Sequence, residues 1–414
     1  GRRSWESQRT TYLTALRARM TARQSESADV AYRLEPDLKN GHGGLRDVQT
    51  VWWAMASGLE VIDQDLADLD TCYDTLLRAR VALHLTTDRA GEVMRLEDQD
   101  AIAVTGGWGD ADAMMADVAV AGRTTAWLCD ENWNRAIERD PQADRAIAPG
   151  VVLRNGEIEL TEGADPRRAP TLALQAAVAA ARSDCRIGRA TLSRLRDQVE
   201  PWPGDWPVGA RTELVALLLE GHRAIRVLEA LDQHDLIARF LPEWEPVRSK
   251  PQRNAYHRFT VDRHLWEAAA NAAELAANVS RPDLLVIGAL FHDLGKGYPG
   301  DHTDVGMDLV REIAPRLGYD RRDVETLVAM VEWHLLLPDV AMRRDLSDPA
   351  TIDLVAGLLN SVERLELLHA LTEADSKATG PSAWRNWKKE LVDELAARTR
   401  LVLGGEEVSE VTWQ

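Results

Sequence analysis

Apolar residues recur at helical intervals through almost the whole of this chain, and only one stretch carries a strong strand signal. That contrast constrains the fold more than any other feature, because hydrophobic periodicity is the primary guide to secondary structure. In residues 4–27, Tyr12, Leu13, Leu16 and Met20 fall at helical spacing with Arg and Gln between them. A loop follows at 35–44, and helix resumes at Leu45-Arg46-Asp47 and runs through Trp52 and Trp53. Further helices are predicted over about 63–86, 110–138 and 170–240, the last broken at Trp202-Pro203-Gly204. The exception is Val151-Val152-Leu153-Arg154, Asn155-Gly156, Glu157-Ile158-Glu159-Leu160. Two apolar runs joined by Asn-Gly read as a hairpin, since that pair supplies the positive φ angles of a type I′ turn. Residues 240–254, rich in Pro, Arg and Glu, read as a linker, and a second helical block runs from there to about 403. The predicted fold class is mainly α, with one small β-hairpin near 150–160.

At 414 residues the chain has room for two or three domains. No apolar run approaches the roughly 20 residues of a membrane span, and no signal-peptide pattern opens the chain, so no membrane role is expected. Cys72, Cys129 and Cys185 are scattered and odd in number, which suits a reducing cytoplasm better than a disulfide framework. A net charge of −18 argues against nucleic acid as a partner, which needs basic surface. Phosphate chemistry in so acidic a chain must use local cations, a bound metal among them. Only six residues are lysines against 43 arginines, so Lys296 and Lys39 draw attention where they stand. The chain begins at Gly1 rather than Met and reads as a processed or truncated piece of something longer.

Six of the ten histidines lie beyond residue 254. The run Leu290-Phe291-His292-Asp293-Leu294-Gly295-Lys296-Gly297 closes an apolar stretch with an imidazole, a carboxylate, a glycine and a cation. His264 precedes it on a predicted helix over 261–278, where Ala268, Ala269 and Ala270 allow close helix approach. Pro282 opens the next helix, with Gly295 as its stop. Asp375 closes an apolar helix over 365–374, and a carboxylate there costs free energy unless it is paired or metal-bound. His264, His292, Asp293 and Asp375 thus form a candidate metal frame. Two imidazoles and two carboxylates suit Mn, Fe, Zn, Co or Ni, and Mg less well. His302 and His334 complete a second metal site, or one of them donates a proton or binds the substrate phosphate. The catalytic candidates are Asp293, Lys296, His302 and His334, and no organic cofactor site is read.

Other histidines have plainer readings. His234-Asp235 reads as a surface or N-cap pair. His369, on an apolar helical face, reads as a satisfied core histidine. His257 either lines the site or caps the helix.

The order His264, His292-Asp293, Asp375 resembles the HD superfamily of metal-dependent phosphohydrolases. Longer segments narrow this. They are Tyr256-His257-Arg258-Phe259-Thr260-Val261-Asp262-Arg263-His264, Phe291-His292-Asp293-Leu294-Gly295-Lys296-Gly297, Asp301-His302 and Arg343-Arg344-Asp345-Leu346-Ser347-Asp348-Pro349. With them go Ala374-Asp375, Thr379-Gly380-Pro381 and Trp384-Arg385-Asn386-Trp387-Lys388. All resemble the bifunctional PII uridylyltransferase/uridylyl-removing family, as does Leu34-Glu35-Pro36-Asp37-Leu38-Lys39-Asn40-Gly41-His42-Gly43-Gly44-Leu45-Arg46-Asp47.

That resemblance implies a helical part of a nucleotidyltransferase region at 1–145, a hairpin and helical connecting region at 146–248, an all-helical HD domain at 249–403 and a tail at 404–414. It implies a divalent metal, one or two ions of Mn, Fe, Mg, Zn or Co. The implied reaction removes UMP or AMP from a tyrosine of the nitrogen-regulatory protein PII, AMP being associated with the actinobacterial branch. The family's Gly-Ser transferase motif with its paired aspartates, and its glutamine-sensing ACT domains, are missing from the sequence. Transferase catalysis and direct glutamine sensing are therefore not expected of it. The Gly-rich loop at 40–44 belongs by resemblance near the transferase's nucleotide site, and without the aspartates a structural role is expected. Two other readings stand beside this one: an HD hydrolase of a free nucleotide or alarmone, and a non-catalytic HD module.

Overall fold

The computed structural model describes residues 2–136, 143–254 and 256–405, with the backbone alone for residues 2–7. Most of the tail expected at 404–414 lies outside the described residues. The chain is mainly helical, and it divides into two compact units.

The first unit comprises residues 1–141 and 249–260. Its helices are α1 (Arg2–Ser27), α2 (Leu45–Ala56), α3 (Asp63–Thr87), α4 (Gln99–Gly106) and α5 (Ala111–Arg135). One apolar cluster joins Leu76, Leu83, Met94, Ile102 and Met114, and a second joins Met20, Val48, Val51, Leu69 and Trp133. Asp110 caps α5 by accepting from the Ala113 N–H at 2.8 Å.

In the Gly-rich loop before α2, every backbone N–H from Lys39 to Arg46 already has a partner. Gly41, His42, Gly44, Leu45 and Arg46 give their N–H groups to Asp37, Ala28, Gly41, Leu38 and Lys39 carbonyls. Gly43 gives its own to Asp47 Oδ2 at 2.7 Å, and Lys39 and Asn40 give theirs to Asp37 Oδ1. Gly43 sits at φ +82°, and a Cβ there would lie 2.1 Å from the Gly122 carbonyl of α5. Glycine is needed because two backbones meet at that point.

The segment read as a linker packs instead. Residues 249–260 pair with the first unit, where Leu34 N–H donates to the Arg258 carbonyl at 3.0 Å and Thr260 N–H to that of Tyr32 at 3.1 Å. Arg253 binds Asp100 at 2.7 Å and Gln99 Oε1 at 3.1 Å.

The second unit comprises residues 142–248 and 261–414. It opens with β1 (Arg145–Ala148), β2 (Val151–Arg154), β3 (Glu157–Leu160) and, further on, β4 (Arg186–Ile187). β2 and β3 form the predicted hairpin in register Val151↔Leu160 and Arg154↔Glu157. Asn155 and Gly156 stand at φ +50° and +76°, the two positive angles of a type I′ turn. The hairpin is the centre of a larger sheet, of order β1-β2-β3-β4, with β1 antiparallel and β4 parallel to their neighbours. Its buried Val151 and Ile158 face the alanine-rich α6 (Leu172–Arg182).

Helices α7 (Arg189–Gln198), α8 (Ala210–Leu218), α9 (His222–Gln233) and α10 (Leu236–Phe240) follow. A 3-10 turn at Pro242–Val247 buries Trp244, stacked on Trp266 with centroids 5.5 Å apart. The rest of the unit is α11 (Val261–Glu274), α12 (Pro282–Phe291), α13 (His302–Arg316), α14 (Arg321–Glu332), α15 (Leu336–Arg343), α16 (Pro349–Leu359), α17 (Val362–Thr379) and α18 (Asn386–Leu403). α11 packs on both α12 and α17, and Ala268, Ala269 and Ala270 are buried there, as their small size requires. α11 ends at Glu274, a turn earlier than predicted.

Candidate metal centre

The predicted frame converges. His264 comes from the buried face of α11, and His292 caps the end of α12, whose residues from Leu284 to Phe291 are all apolar and buried. Asp293 follows at the turn into a 3-10 segment, Leu294–Gly297, which carries Lys296. Asp375 lies in the body of α17, one turn before its end at Thr379, rather than at a terminus as predicted. His264 Nε2 lies 3.3 Å from His292 Nε2, 3.5 Å from Asp293 Oδ2 and 3.1 Å from Asp375 Oδ1. His292 Nε2 lies 3.4 Å from Asp293 Oδ2 and 3.5 Å from Asp375 Oδ1. Ligand atoms that each stand about 2.0–2.2 Å from one ion are separated by roughly 3.0–3.5 Å, so these spacings fit a shared divalent cation.

A second set meets the other oxygen of the same carboxylate. His302 Nε2 and His334 Nε2 each lie 3.8 Å from Asp293 Oδ1. That oxygen is buried and has no hydrogen-bond partner. A buried carboxylate oxygen without a donor is costly, and a cation would satisfy it. His302 opens α13 behind the capping Asp301 and is one-third exposed, whereas His334, just past α14, is buried. The open side of the centre therefore lies at His302.

Backbone carbonyls aim the imidazoles. His292 Nδ1 donates to the Ala289 carbonyl at 2.8 Å and His334 Nδ1 to that of Val331 at 2.7 Å. A carbonyl only accepts, so each Nδ1 carries a hydrogen and each Nε2 is the nitrogen that faces the centre, where an ion would take the place of a proton. Lys296 Nζ lies 2.5 Å from Asp293 Oδ2. Gly295 is no left-handed helix stop, as the sequence suggested. It is glycine because a Cβ there would lie 2.0 Å from the His302 carbonyl, so the 3-10 turn and the start of α13 touch.

Charge in the cavity is balanced toward cations. Burial opposes a proton on His292, but Asp293 and Asp375 outweigh it and raise its pKa to about 10. Burial likewise opposes ionisation of Asp293, yet Lys296 and His292 hold it well below the usual carboxylate range. Asp375 is kept ionised against burial by His264 and His292. Burial dominates at His334 and lowers its pKa, favouring the neutral, ligating form.

Several groups escaped the sequence reading. Thr379 Oγ1 donates to Asp375 Oδ1 at 3.3 Å, and Asn271 Nδ2 holds the Ala374 carbonyl at 3.0 Å. Thr379 stands four residues after Asp375 and Asn271 seven after His264, on the same helix faces as those ligands, and that spacing is the signal that could have found them. Lys388 at the start of α18 is half-buried, which lowers its pKa against the fields of Asp375 and Asp339. It is one of the few lysines and lies in a quoted motif. Two histidines of the second unit, His369 and His234, are absent from the contacts of the frame. His369 is one-third exposed and pairs with Asp393 at 2.8 Å, so it is satisfied but not a core residue. His234 is buried rather than on the surface, against the Ala230 carbonyl, while Asp235 does occupy the N-cap position of α10. His257 belongs to the 249–260 segment, where its N–H donates to the Asn254 carbonyl.

Two imidazoles and two carboxylates from separate helices, meeting beside an adjacent His-Asp pair, define a histidine–aspartate domain. Residues 261–378 match the HD domain, a class of metal-dependent hydrolases, and residues 12–131 match the family described as GlnD PII-uridylyltransferase. The chain is 42% identical, over 97% of its length, to the bifunctional uridylyltransferase/uridylyl-removing enzyme of Streptomyces coelicolor, covering 50% of that protein. It is 42% identical over 98% of its length to the enzyme of the same name from Mycobacterium tuberculosis, covering 52% of it. With that of Corynebacterium glutamicum it shares 34% over 88% of its length, covering 53%. The chain is thus a homologue of these proteins, with a uridylyltransferase-type region and an HD domain. It spans about half the length of the curated relatives it matches.

Proposed function

We propose that this chain is a phosphodiesterase that removes a nucleoside monophosphate, UMP or AMP, from a tyrosine of PII. The observation that carries the reading is that His264 and His292 lie 3.3 Å apart and each lies 3.1–3.5 Å from carboxylate oxygens of Asp293 and Asp375, while the other oxygen of Asp293, buried and without a hydrogen-bond partner, faces His302 and His334. These four residues would hold a divalent ion, and His302 and His334 with Asp293 would hold a second. Bound there, a divalent ion supplies positive charge for the phosphoryl oxygens and acidifies water near neutral pH.

The chain's own groups do the rest. Lys296, beside Asp293, offsets negative charge that builds on the phosphoryl group. Where a single ion is bound, His302, on the open side, instead donates a proton to the departing phenolic oxygen. Tyrosine needs little help as a leaving group, since its pKa of about 10 lies far below that of an alkyl alcohol. Buried His334 keeps its Nε2 toward Asp293. We assign this work to residues 249–403, with 146–248 as the connecting region and 1–145 as the helical part of the transferase region. The names of the relatives, their uridylyl-removing activity and the HD match support PII as partner and a cytoplasmic setting.

The test is release of UMP and AMP from the two modified forms of PII by this chain in Mn²⁺. Release of either nucleotide is expected, with loss of at least about a hundredfold in Asp293→Ala. No release from either form, or equal release by the variant, rejects the reading. Turnover of a free nucleotide or alarmone in place of PII would favour the other HD hydrolase reading.

A further inference from the structure

Lysine is rare in this chain, and Lys39, Lys296, Lys377 and Lys389 each hold a carboxylate oxygen at 2.5–2.9 Å. Lys388 is different. Among the described residues its ammonium makes no ion pair and no hydrogen bond, although it is half-buried at the start of α18. Taking an ammonium out of water without a partner costs free energy. The chain has 67 carboxylate side chains, yet none is bonded to this cation among the described residues.

The first turn of α18 lies against the part of α17 that carries Asp375. Lys389, the next residue, reaches Asp393 at 2.6 Å and Glu373 at 3.9 Å, and Glu373 stands two residues before Asp375. The connection is short: Thr379 ends α17 with its hydroxyl on Asp375, and the Gly380 N–H donates to the Ser376 carbonyl at 3.3 Å before the chain turns to α18. α18 also packs on α15, which carries Asp339 five residues past His334. Lys388 thus stands in the fields of Asp375 and Asp339, which favour its charge while burial opposes it. Neither bonds it. Asp375 Oδ1 serves His264, His292 and Thr379, and Asp339 Oδ1 faces Arg343 at 3.7 Å.

Lys296 is the instructive contrast. Its ammonium is already occupied by Asp293 Oδ2, so Lys388 is the lysine near the centre whose charge is uncommitted. We infer that Lys388 Nζ binds a non-bridging phosphoryl oxygen of the nucleotide at the histidine–aspartate centre, on its Asp375 side. The identity of that ligand rests on the hydrolase reading above. An ammonium on a four-carbon stem suits this role, because it meets phosphate as a point charge with no fixed geometry.

The test is calorimetric titration of the Mn²⁺-loaded chain with UMP, AMP, uridine and adenosine. Both monophosphates should bind, with their nucleosides at least about tenfold weaker. Lys388→Met keeps the length of the stem and removes the charge. It should weaken both monophosphates about tenfold and leave Mn²⁺ affinity and melting temperature unchanged. Lys388→Arg keeps the charge and should lose no more than about threefold. Unchanged monophosphate affinity in Lys388→Met overturns the inference, as does the absence of monophosphate binding by the parent. So does a loss in Lys388→Met that Lys388→Arg shares in full, or that Mn²⁺ affinity follows. Release from modified PII judges the hydrolase reading separately: the expected binding pattern without any release upholds Lys388 and rejects that reading.

Discussion

At the scale of residues, the centre depends on groups that never touch its middle. Thr379 donates to Asp375 from one turn further along α17. Thr379→Val keeps the shape and removes the hydroxyl, so Mn²⁺ affinity is expected to fall roughly tenfold while thermal stability stays nearly constant. A metal titration followed by activity at saturating Mn²⁺ checks this, and full recovery at saturation is the expected result. Gly295 makes a sterner demand. A methyl there meets the His302 carbonyl at 2.0 Å, so Gly295→Ala must push α13 away from the 3-10 turn that carries Lys296. A lower melting temperature together with loss of nucleotide release is expected. A variant that melts and turns over like the parent would show that the two segments part without cost. Side-chain identities made His264, His292, Asp293 and Asp375 legible in the sequence, because ligand chemistry is local. Thr379 and Asn271 were not legible, because a hydroxyl or amide on a helix reveals its partner only once the neighbouring backbone is in place.

At the scale of elements, local signals succeeded where a turn or cap decides the outcome. Asn155-Gly156 specified its hairpin because its backbone angles suit that turn. The two flanking strands were illegible, since Arg186–Ile187 is too short to have a pattern and takes its conformation from pairing with β3. The end of α17 was misplaced because apolar periodicity stops at Ala374 while backbone hydrogen bonds continue to Thr379. His369 misled for a related reason: an apolar helical face does not reveal where its neighbour's cover ends.

The loop before α2 has its own electrostatic device. His42 reaches Asp29 at 3.1 Å and Asp130 at 3.2 Å. Burial opposes its charge, but hydrogen bonds to Asp130 and Asp29 prevail, with Asp47 adding to them, and the pKa rises to about 11. A group raised on folding stabilises fully below its unfolded pKa of about 6.5, and that contribution fades as pH climbs toward its folded value. Urea unfolding of the parent and of His42→Gln at about pH 6 and about pH 9 should therefore show a stability gap that narrows at the higher pH. An unchanged gap would mean the imidazole is neutral in the fold.

At the scale of the whole molecule, the two units should answer differently to metal. The histidine–aspartate centre lies wholly in the second unit. A ligand that binds only the folded form stabilises it by about 2.7 kcal/mol at a hundredfold excess over its Kd. Calorimetry with Mn²⁺ and then EDTA is expected to move the unfolding of the second unit and leave that of the first in place. Equal shifts of both, or no shift, would count against a metal bound at this centre alone. The first unit has a different peculiarity, because the segment 249–260 that pairs with Tyr32 and Leu34 is encoded far downstream, with residues 142–248 in between. During synthesis its five helices leave the ribosome long before that segment exists. Until residue 260 emerges, the Tyr32 carbonyl and the Leu34 N–H lack their native partners, so this unit cannot be finished in the order in which it is made.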